Sequence, residues 1–221
     1  MSILCVENVT YQYKTGTQLT LKGVSCAFET GLVTAVVGPS GSGKTTLLSI
    51  LAGLDRPTGG RVLLNGRDLA EKDLDQYRRE DVSVIFQAFQ LFPLLTVLEN
   101  VCYPMELMGV PVKEAAKQAK TLLEKVGIGE EKWKRYPANL SGGEQQRVAI
   151  SRSLSTRAQV LLADEPTGNL DGENSRNVVE LLTRLAHEDG YCVIIVTHDP
   201  AIAEASDRVY HMADGVLVPG K

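Results

Sequence analysis

Gly38-Pro39-Ser40-Gly41-Ser42-Gly43-Lys44-Thr45 fits the pattern G-x-x-x-x-G-K-[ST]. Glycines at these spacings let the backbone turn tightly, so that successive N–H groups point inward at phosphate oxygens. A helix opening at Lys44 adds partial positive charge at its N-terminus. The chemistry expected is capture of a nucleoside triphosphate, with Lys44 reaching the β- and γ-phosphates and the Thr45 hydroxyl ligating Mg²⁺. Gly38, Ser40, Gly41, Ser42, Gly43, Lys44, Thr45 and Thr46 are the first candidate nucleotide contacts.

A second chemical signal lies in "VLLADEPTGNLD" (160–171), where an apolar run ends on two carboxylates. In open α/β sheets, ligands sit outside the carboxyl ends of the strands. Asp164 is expected to bind Mg²⁺, directly or through water, and Glu165 to polarise an attacking water. Phosphoryl transfer needs both, because charge on the phosphate must be spread while the nucleophile is held in line. "VIIVTHDP" (193–200) repeats the arrangement and puts His198 at a strand tip, within reach of a γ-phosphate or the water. Gln87, after "VSVIF", is placed to sense Mg²⁺ and water.

These residues need strands and helices to hold them. Alternating apolar residues at 3–13 and 19–28 predict two antiparallel strands, with Tyr11 and Tyr13 on one face of the first. "LVTAVVG" (32–38) predicts a buried strand running into the glycine loop, and 44–54 a helix ending near Gly53. Strands are expected at 61–66, 82–87, 160–164 and 193–197, with a helix over about 173–188 making a right-handed strand–helix–strand unit. From about 96 to 156 the pattern is helical. The expected organisation is an α/β core from residues 1–88 and 157–221, interrupted by a helical segment at 89–156.

Composition narrows the classes. A chain of 221 residues with 43% hydrophobic content suits one large globular domain. Its longest apolar runs fall far short of the roughly 20 residues of a spanning helix, and no basic-then-apolar leader pattern is seen. The four cysteines, Cys5, Cys26, Cys102 and Cys192, have no metal-ligand spacing and read as reduced thiols of a cytosolic protein. A net charge of −4 argues against a broad nucleic-acid surface.

"LSGGEQQRVAISRSL" (140–154) raises a question. Ser141 is an N-cap residue, and Gly142 and Gly143 expose backbone N–H groups before a helix, which makes a second anion site. Either the helical segment folds back over the first cradle, or two copies pair so that each offers its cradle to one nucleotide and its Ser-Gly-Gly to the other. The pattern alone leaves both open.

Over nearly its whole length the chain resembles the ATP-binding cassette (ABC) transporter ATPases. "GPSGSGKT" resembles their Walker A motif, "LSGGEQQR" their signature, and "VLLADE" Walker B with the catalytic glutamate. Gln87 falls at the Q-loop, "GNLD" (168–171, with Asp171) at the D-loop and His198 at the H-switch. The resemblance implies a P-loop NTPase fold: a RecA-like core with an N-terminal antiparallel β subdomain, and an inserted all-helical signature subdomain. It implies ATP and Mg²⁺ as ligands, and a head-to-tail homodimer in which the signature closes on the partner's γ-phosphate. An aromatic residue stacks on adenine in this family, and the alignment of "NVTYQYK" favours Tyr13 over Tyr11. "VIFQAFQLFPLLTVLENV" (84–101) and the short C-terminal stretch resemble the LolD/MacB/FtsE branch, while polar amino acid importers look similar here. The implied partner is a membrane permease met on the cytoplasmic face, with "FQLFPLL" (89–95) as the docking turn. "AISRSL" (149–154) departs from the usual "AIARAL" at Ser151 and Ser153. Two other classes compete. A DNA-repair ABC ATPase would need a long coiled coil or a basic patch, and a P-loop kinase would leave the signature unexplained.

Overall fold

A run of valines and leucines that alternate between two buried faces builds the centre of the molecule. The structure, a computed structural model, describes residues 2–14 and 16–220. In chain order the strands and helices are β1 (Ser2–Tyr11), β2 (Leu21–Glu29), β3 (Val33–Val37), α1 (Lys44–Leu51), β4 (Gly59–Leu64), β5 (Arg67–Asp68), α2 (Leu74–Glu80) and β6 (Val82–Ile85). Then come α3 (Val97–Leu107), α4 (Val112–Lys125), α5 (Gly142–Leu154), β7 (Val160–Asp164), α6 (Gly172–His187), β8 (Cys192–Thr197), α7 (Pro200–Ala205), β9 (Arg208–Ala213) and β10 (Val216–Pro219).

Six strands form one sheet in the order β10-β9-β3-β8-β7-β6. All neighbours in it run parallel except β9 and β10, which form an antiparallel hairpin. Parallel strands covered on both faces read as continuous apolar runs, and β8 is buried along its entire length. Leu161, Ala163, Val193 and Ile195 belong to one core. Val160, Leu162, Ile194 and Val196 face the other. The first core packs these side chains with those of α3, α4, α5 and α6. The second packs them with α1, Tyr77 of α2 and the antiparallel sheet β2-β1-β4-β5.

Helix α4 shows how the sequence sets its own packing. It buries Ala115, Ala119 and Leu123, spaced four apart on one stripe, and turns its lysines and glutamates to solvent. Helix α3 starts at a capping box in which Thr96 accepts from Glu99 N and the Glu99 carboxylate accepts from Thr96 N. No helix among the described residues is long and apolar enough to cross a membrane.

Several element boundaries differ from the sequence expectation. Strand β1 ends at Tyr11, so Tyr13 lies beyond the strand and does not share its face. Helix α1 ends at Leu51, with left-handed Gly53 just after. Strand β6 stops at Ile85, which frees Phe86 and Gln87 for the loop above it. The β9–β10 hairpin and α2 were not expected at all.

Candidate functional site

The glycine loop leaves β3 and enters α1. Gly41 and Gly43 are left-handed, at φ 79° and 111°. A Cβ on Gly38 would lie 2.1 Å from the carbonyl oxygen of Met212, so only glycine lets the loop approach β9 this closely. Helix α1 has Gly43 as its N-cap, with no side-chain cap and no acidic residue in its first turn. Its opening N–H groups therefore remain available to an anion. The Lys44 ammonium donates to the carbonyls of Gly38, 2.8 Å away, and Pro39, 3.0 Å away. Ser42 Oγ is buried and has no hydrogen-bond partner among the described residues.

Opposite the loop stand the ends of β7 and β8. Glu165 follows Asp164 in a left-handed conformation, φ 45°, and its N–H donates to Val196 O at 2.9 Å. A non-glycine residue held this way is strained, and such strain collects at functional sites. The Glu165 carboxylate is gripped on both oxygens. Thr197 Oγ1 donates to Oε2 at 2.8 Å, and His198 Nδ1 stands 2.7 Å from Oε1. Thr197 is itself fixed, accepting from Asp199 N. Burial pushes the Asp164 carboxyl up, the neighbouring Glu165 charge adds to this, and Lys44 opposes it.

Gln87 reaches toward the same place. The amide of Asn169 donates to Gln87 O at 2.9 Å, and Gln87 Nε2 lies 3.5 Å from Asn169 Oδ1. Gly168 lies so close that a Cβ there would meet Gln87 Nε2 at 2.6 Å. Of the two tyrosines, Tyr11 is buried and Tyr13 is 46% exposed. The Tyr13 hydroxyl lies 2.9 Å from Thr46 Oγ1, and its ring meets Tyr11 edge-on.

Together Tyr13, Ser40, Gly41, Gly43, Lys44, Thr45, Thr46, Gln87, Asp164, Glu165 and His198 line one open cleft of about 490 Å³. Gly38 and Ser42 belong to its loop without lining it. A larger, more apolar cavity of about 770 Å³ lies on the far side of Glu165 and His198, between α6 and α7. The smaller cleft is the candidate site, because among the described residues it brings the loop amides, an ammonium and two carboxylates together.

Ser141, Gly142, Gly143 and Asp171 do not line that cleft. Ser141 caps α5 in a capping box with Glu144: it accepts from Glu144 N, and Glu144 Oε2 accepts from Ser141 N at 2.8 Å. The Lys132 ammonium, 2.8 Å from Glu144, holds that carboxyl well below its ordinary range, at about 2. A Cβ on Gly143 would meet Asn174 Oδ1 at 2.1 Å, so this glycine lets α5 abut the start of α6. Asp171 caps α6, accepting from Asn174 N and from its side-chain amide.

The sequence reading overlooked four contributors. Thr197 and Asn169 orient Glu165 and Gln87; both lie inside the quoted stretches "VIIVTHDP" and "GNLD", but a threonine or asparagine there carries no signal of its own. Met212 and Gly215 brace the loop from the β9–β10 hairpin, where Gly215 N donates to Ser42 O at 3.0 Å. The Asp214-Gly215 pair between two apolar runs is a hairpin signal that could have revealed them.

A family model described as ABC transporter matches residues 21–168. The chain belongs to the ABC transporter family. It is 45% identical over 201 residues to the lipoprotein-releasing system ATP-binding protein LolD of Aquifex aeolicus, covering 90% of this chain and 89% of that protein. It is 43% identical to the macrolide export ATP-binding/permease protein MacB of Aggregatibacter actinomycetemcomitans, covering 90% of this chain and 31% of that longer protein. A bacterial ABC transporter cassette, MJ0796, solved as a dimer, matches with TM-score 0.88 and 37% identity over 99% of this chain and 98% of that one. The same cassette has been solved in a post-hydrolysis state bound to ADP and Pi. This ABC-family chain is thus an ATP-binding, ATP-hydrolysing subunit of a transporter, built on the P-loop cassette fold and fitting the LolD/MacB-like branch.

The cleft fits its ligands. The uncapped amides of α1 and the unpartnered, buried Ser42 hydroxyl suit phosphate oxygens. Among the described residues no cluster of three or more His, Cys, Asp or Glu could hold a metal ion. Thr45 and Asp164 instead put two oxygen donors in the cleft. That suits Mg²⁺ arriving with a triphosphate and keeping phosphate and water oxygens as its other ligands.

Proposed function

We propose that two copies of this chain pair head to tail around two ATP molecules, and that their closing and reopening drives a membrane permease. One observation carries this reading: the Ser141–Gly143 site and the glycine loop sit on one chain without sharing a cleft. A second copy supplies the missing half with no refolding, and two-fold pairing gives each copy one loop and one signature to contribute. Nucleotide held between the halves favours the paired state by its binding energy.

Within each site the roles follow from placement. Tyr13, half-exposed at the mouth of the cleft, offers its ring for adenine to stack on. The loop amides and Lys44 hold the phosphates, Lys44 exchanging its carbonyl partners for phosphate oxygens. Thr45 and Asp164, with Gln87 beside them, hold Mg²⁺, which when bound spreads the charge on the phosphate oxygens. Glu165, fixed by Thr197 and His198, orients and polarises the attacking water. Ser141, Gly142 and Gly143 of the partner copy, with Asp171 near the seam, close over the γ-phosphate.

Residues 89–156 act as the lever, moving relative to the core of 1–88 and 157–221. The exposed side chains near its first turn, with Leu94 at 86% exposure, support a docking face for a permease on the cytoplasmic side of the membrane. The relatives' names favour export or lipoprotein release.

Light scattering on the Glu165→Gln variant tests the pairing. Dimers are expected with ATP and Mg²⁺ and monomers without nucleotide, and adding Ser141→Arg should keep the protein monomeric. Equal dimerisation of both variants would refute the composite site.

A further inference from the structure

Two consecutive residues just beyond Gln87 adopt a conformation that side chains avoid. Phe89 and Gln90 lie at φ 58° and 54°. Neither is glycine, asparagine or aspartate, the residues that enter this region readily. Local backbone bonds give little support: Gln90 N donates to Ala88 O and Phe89 N to Phe86 O. What holds the turn is a side chain 62 residues away. Arg152, in the last turn of α5, donates from Nη1 to Gln90 O at 2.6 Å and from Nη2 to Phe89 O at 3.3 Å. Its guanidinium also lies 5.6 Å from the Phe92 ring centroid. Burial lowers its pKa, and among the described residues no carboxylate pairs with it.

The turn is tied into the site on its other sides. Gln87, two residues before it, is bonded to Asn169. The Phe89 ring comes within 3.6 Å of where a Cβ on Gly142 would sit. Buried Asn100 secures the exit, accepting from Phe92 N and donating to the carbonyls of Phe92, Leu95 and Thr96.

We infer that Arg152 is a positioning residue for hydrolysis: by holding the left-handed Phe89-Gln90 turn, it fixes Gln87 at the mouth of the nucleotide cleft. One helix then carries both devices. The first residues of α5 form the signature, its last turn carries Arg152, and its 13 residues span roughly 20 Å as a rigid rod. Displacement at the signature end is passed to the turn, and through it to Gln87. Arg152 does not line the cleft, so its removal acts on turnover rather than on capture of ATP. The inference rests on the reading of this cleft as the hydrolytic site.

The test uses the purified full chain and compares wild type, Arg152→Met, Arg152→Lys and, in parallel, Glu165→Gln. The readouts are kcat and KM for ATP, ATP affinity, and the rate of chymotryptic cleavage after Phe89. Arg152→Met should keep ATP affinity within about twofold and lower kcat by about fivefold or more, the loss expected from one or two hydrogen bonds. Cleavage at Phe89 should accelerate. Arg152→Lys, whose ammonium reaches fewer carbonyls at once, should fall between. Adding Gln90→Gly to Arg152→Met should restore part of kcat, because glycine takes this conformation freely. A wild-type kcat in Arg152→Met, or parallel loss of affinity and kcat with no recovery by Gln90→Gly, overturns the inference. If Arg152→Met does not fold, Gln90→Val must reproduce the kcat loss with Arg152 in place, and wild-type kcat there overturns it equally. Unimpaired turnover in Glu165→Gln would instead count against the reading of the cleft itself.

Discussion

Two helices in this molecule begin at glycine-rich turns suited to anions, yet they are prepared differently. Helix α1 opens at left-handed Gly43 with no side-chain cap and no acidic residue, so its amides await an external anion. Helix α5 opens at Ser141 in an ordinary extended conformation, and Glu144 already supplies a carboxylate to its first turn. That carboxylate is in turn neutralised by Lys132. The difference teaches that a helix N-terminus is not a binding site by virtue of its dipole alone. The first start is a primary cradle. The second is a finished cap whose Ser141 hydroxyl and glycine amides can add a grip to a phosphate held by something else.

The largest effect that separates the two comes from the carboxylate facing the cradle. Glu165→Gln leaves both helix starts intact and should lower kcat about 100-fold or more while ATP still binds, as for loss of a general base. Phosphate release and nucleotide binding on the same sample check this.

Next comes the cradle itself. Lys44→Ala removes the ammonium that would turn from its loop carbonyls to phosphate, and ATP affinity should weaken about 10- to 100-fold, the loss expected for a charged hydrogen bond or two. Titration calorimetry reads it, and unchanged affinity would break the contrast by making the α1 start dispensable.

Gly43→Ala sharpens the contrast through the backbone. A methyl group there meets Leu21 Cδ2 at 3.0 Å and forces a left-handed φ on a residue with a Cβ. A loss of about 1–2 kcal/mol in stability is expected from the conformation alone, together with weaker ATP binding. Gly142→Ala, whose nearest neighbour would be 3.4 Å away and whose φ is not left-handed, should be milder in stability.

The smallest effect is at the α5 start. Glu144→Gln keeps the capping oxygen but loses the Lys132 pair, so about 0.5–1 kcal/mol of stability is expected to go. The sign with pH follows from the depressed carboxyl, about 2 in the fold against an ordinary 4.5. Its contribution is complete above pH 4.5 and lost as pH falls toward 2. Denaturant melts from pH 6 down to about 2 should show a shallower decline for Glu144→Gln than for wild type.

Much of the cleft was legible because its parts obey local rules. A glycine loop between an apolar run and a helix, and carboxylates at the end of an apolar run, place themselves once the strands are parallel. The Tyr11–Tyr13 choice was not legible by periodicity, because β1 stops at Tyr11 and alternation carried past its end has no meaning. The Phe89-Gln90 turn runs against local propensity, and the side chain that bonds both of its carbonyls, Arg152, comes from a distant helix that the local sequence does not reveal. The β9–β10 hairpin was readable from Asp214-Gly215, both at positive φ, as in a tight hairpin turn. Its role in bracing Gly38 and Ser42 was not, since that depends on β9 lying beside β3 in the sheet.

The central claim is that unlike loops of two copies grip one nucleotide, and disulfide trapping between separately labelled chains tests it most directly. Ser40→Cys is placed on one chain and Ser141→Cys on another, both in a Glu165→Gln background with the half-buried thiols removed as Cys5→Ser and Cys26→Ser. The remaining native thiols, Cys102 and Cys192, are buried, which pushes them up to about 11 and about 12. Mixing the two chains with ATP, Mg²⁺ and a mild oxidant should give a covalent dimer that neither chain forms alone and that requires the nucleotide. No covalent dimer in the mixture, with ATP-dependent cross-linking inside a single chain carrying both cysteines, would contradict the account and establish that the signature folds back on its own cradle.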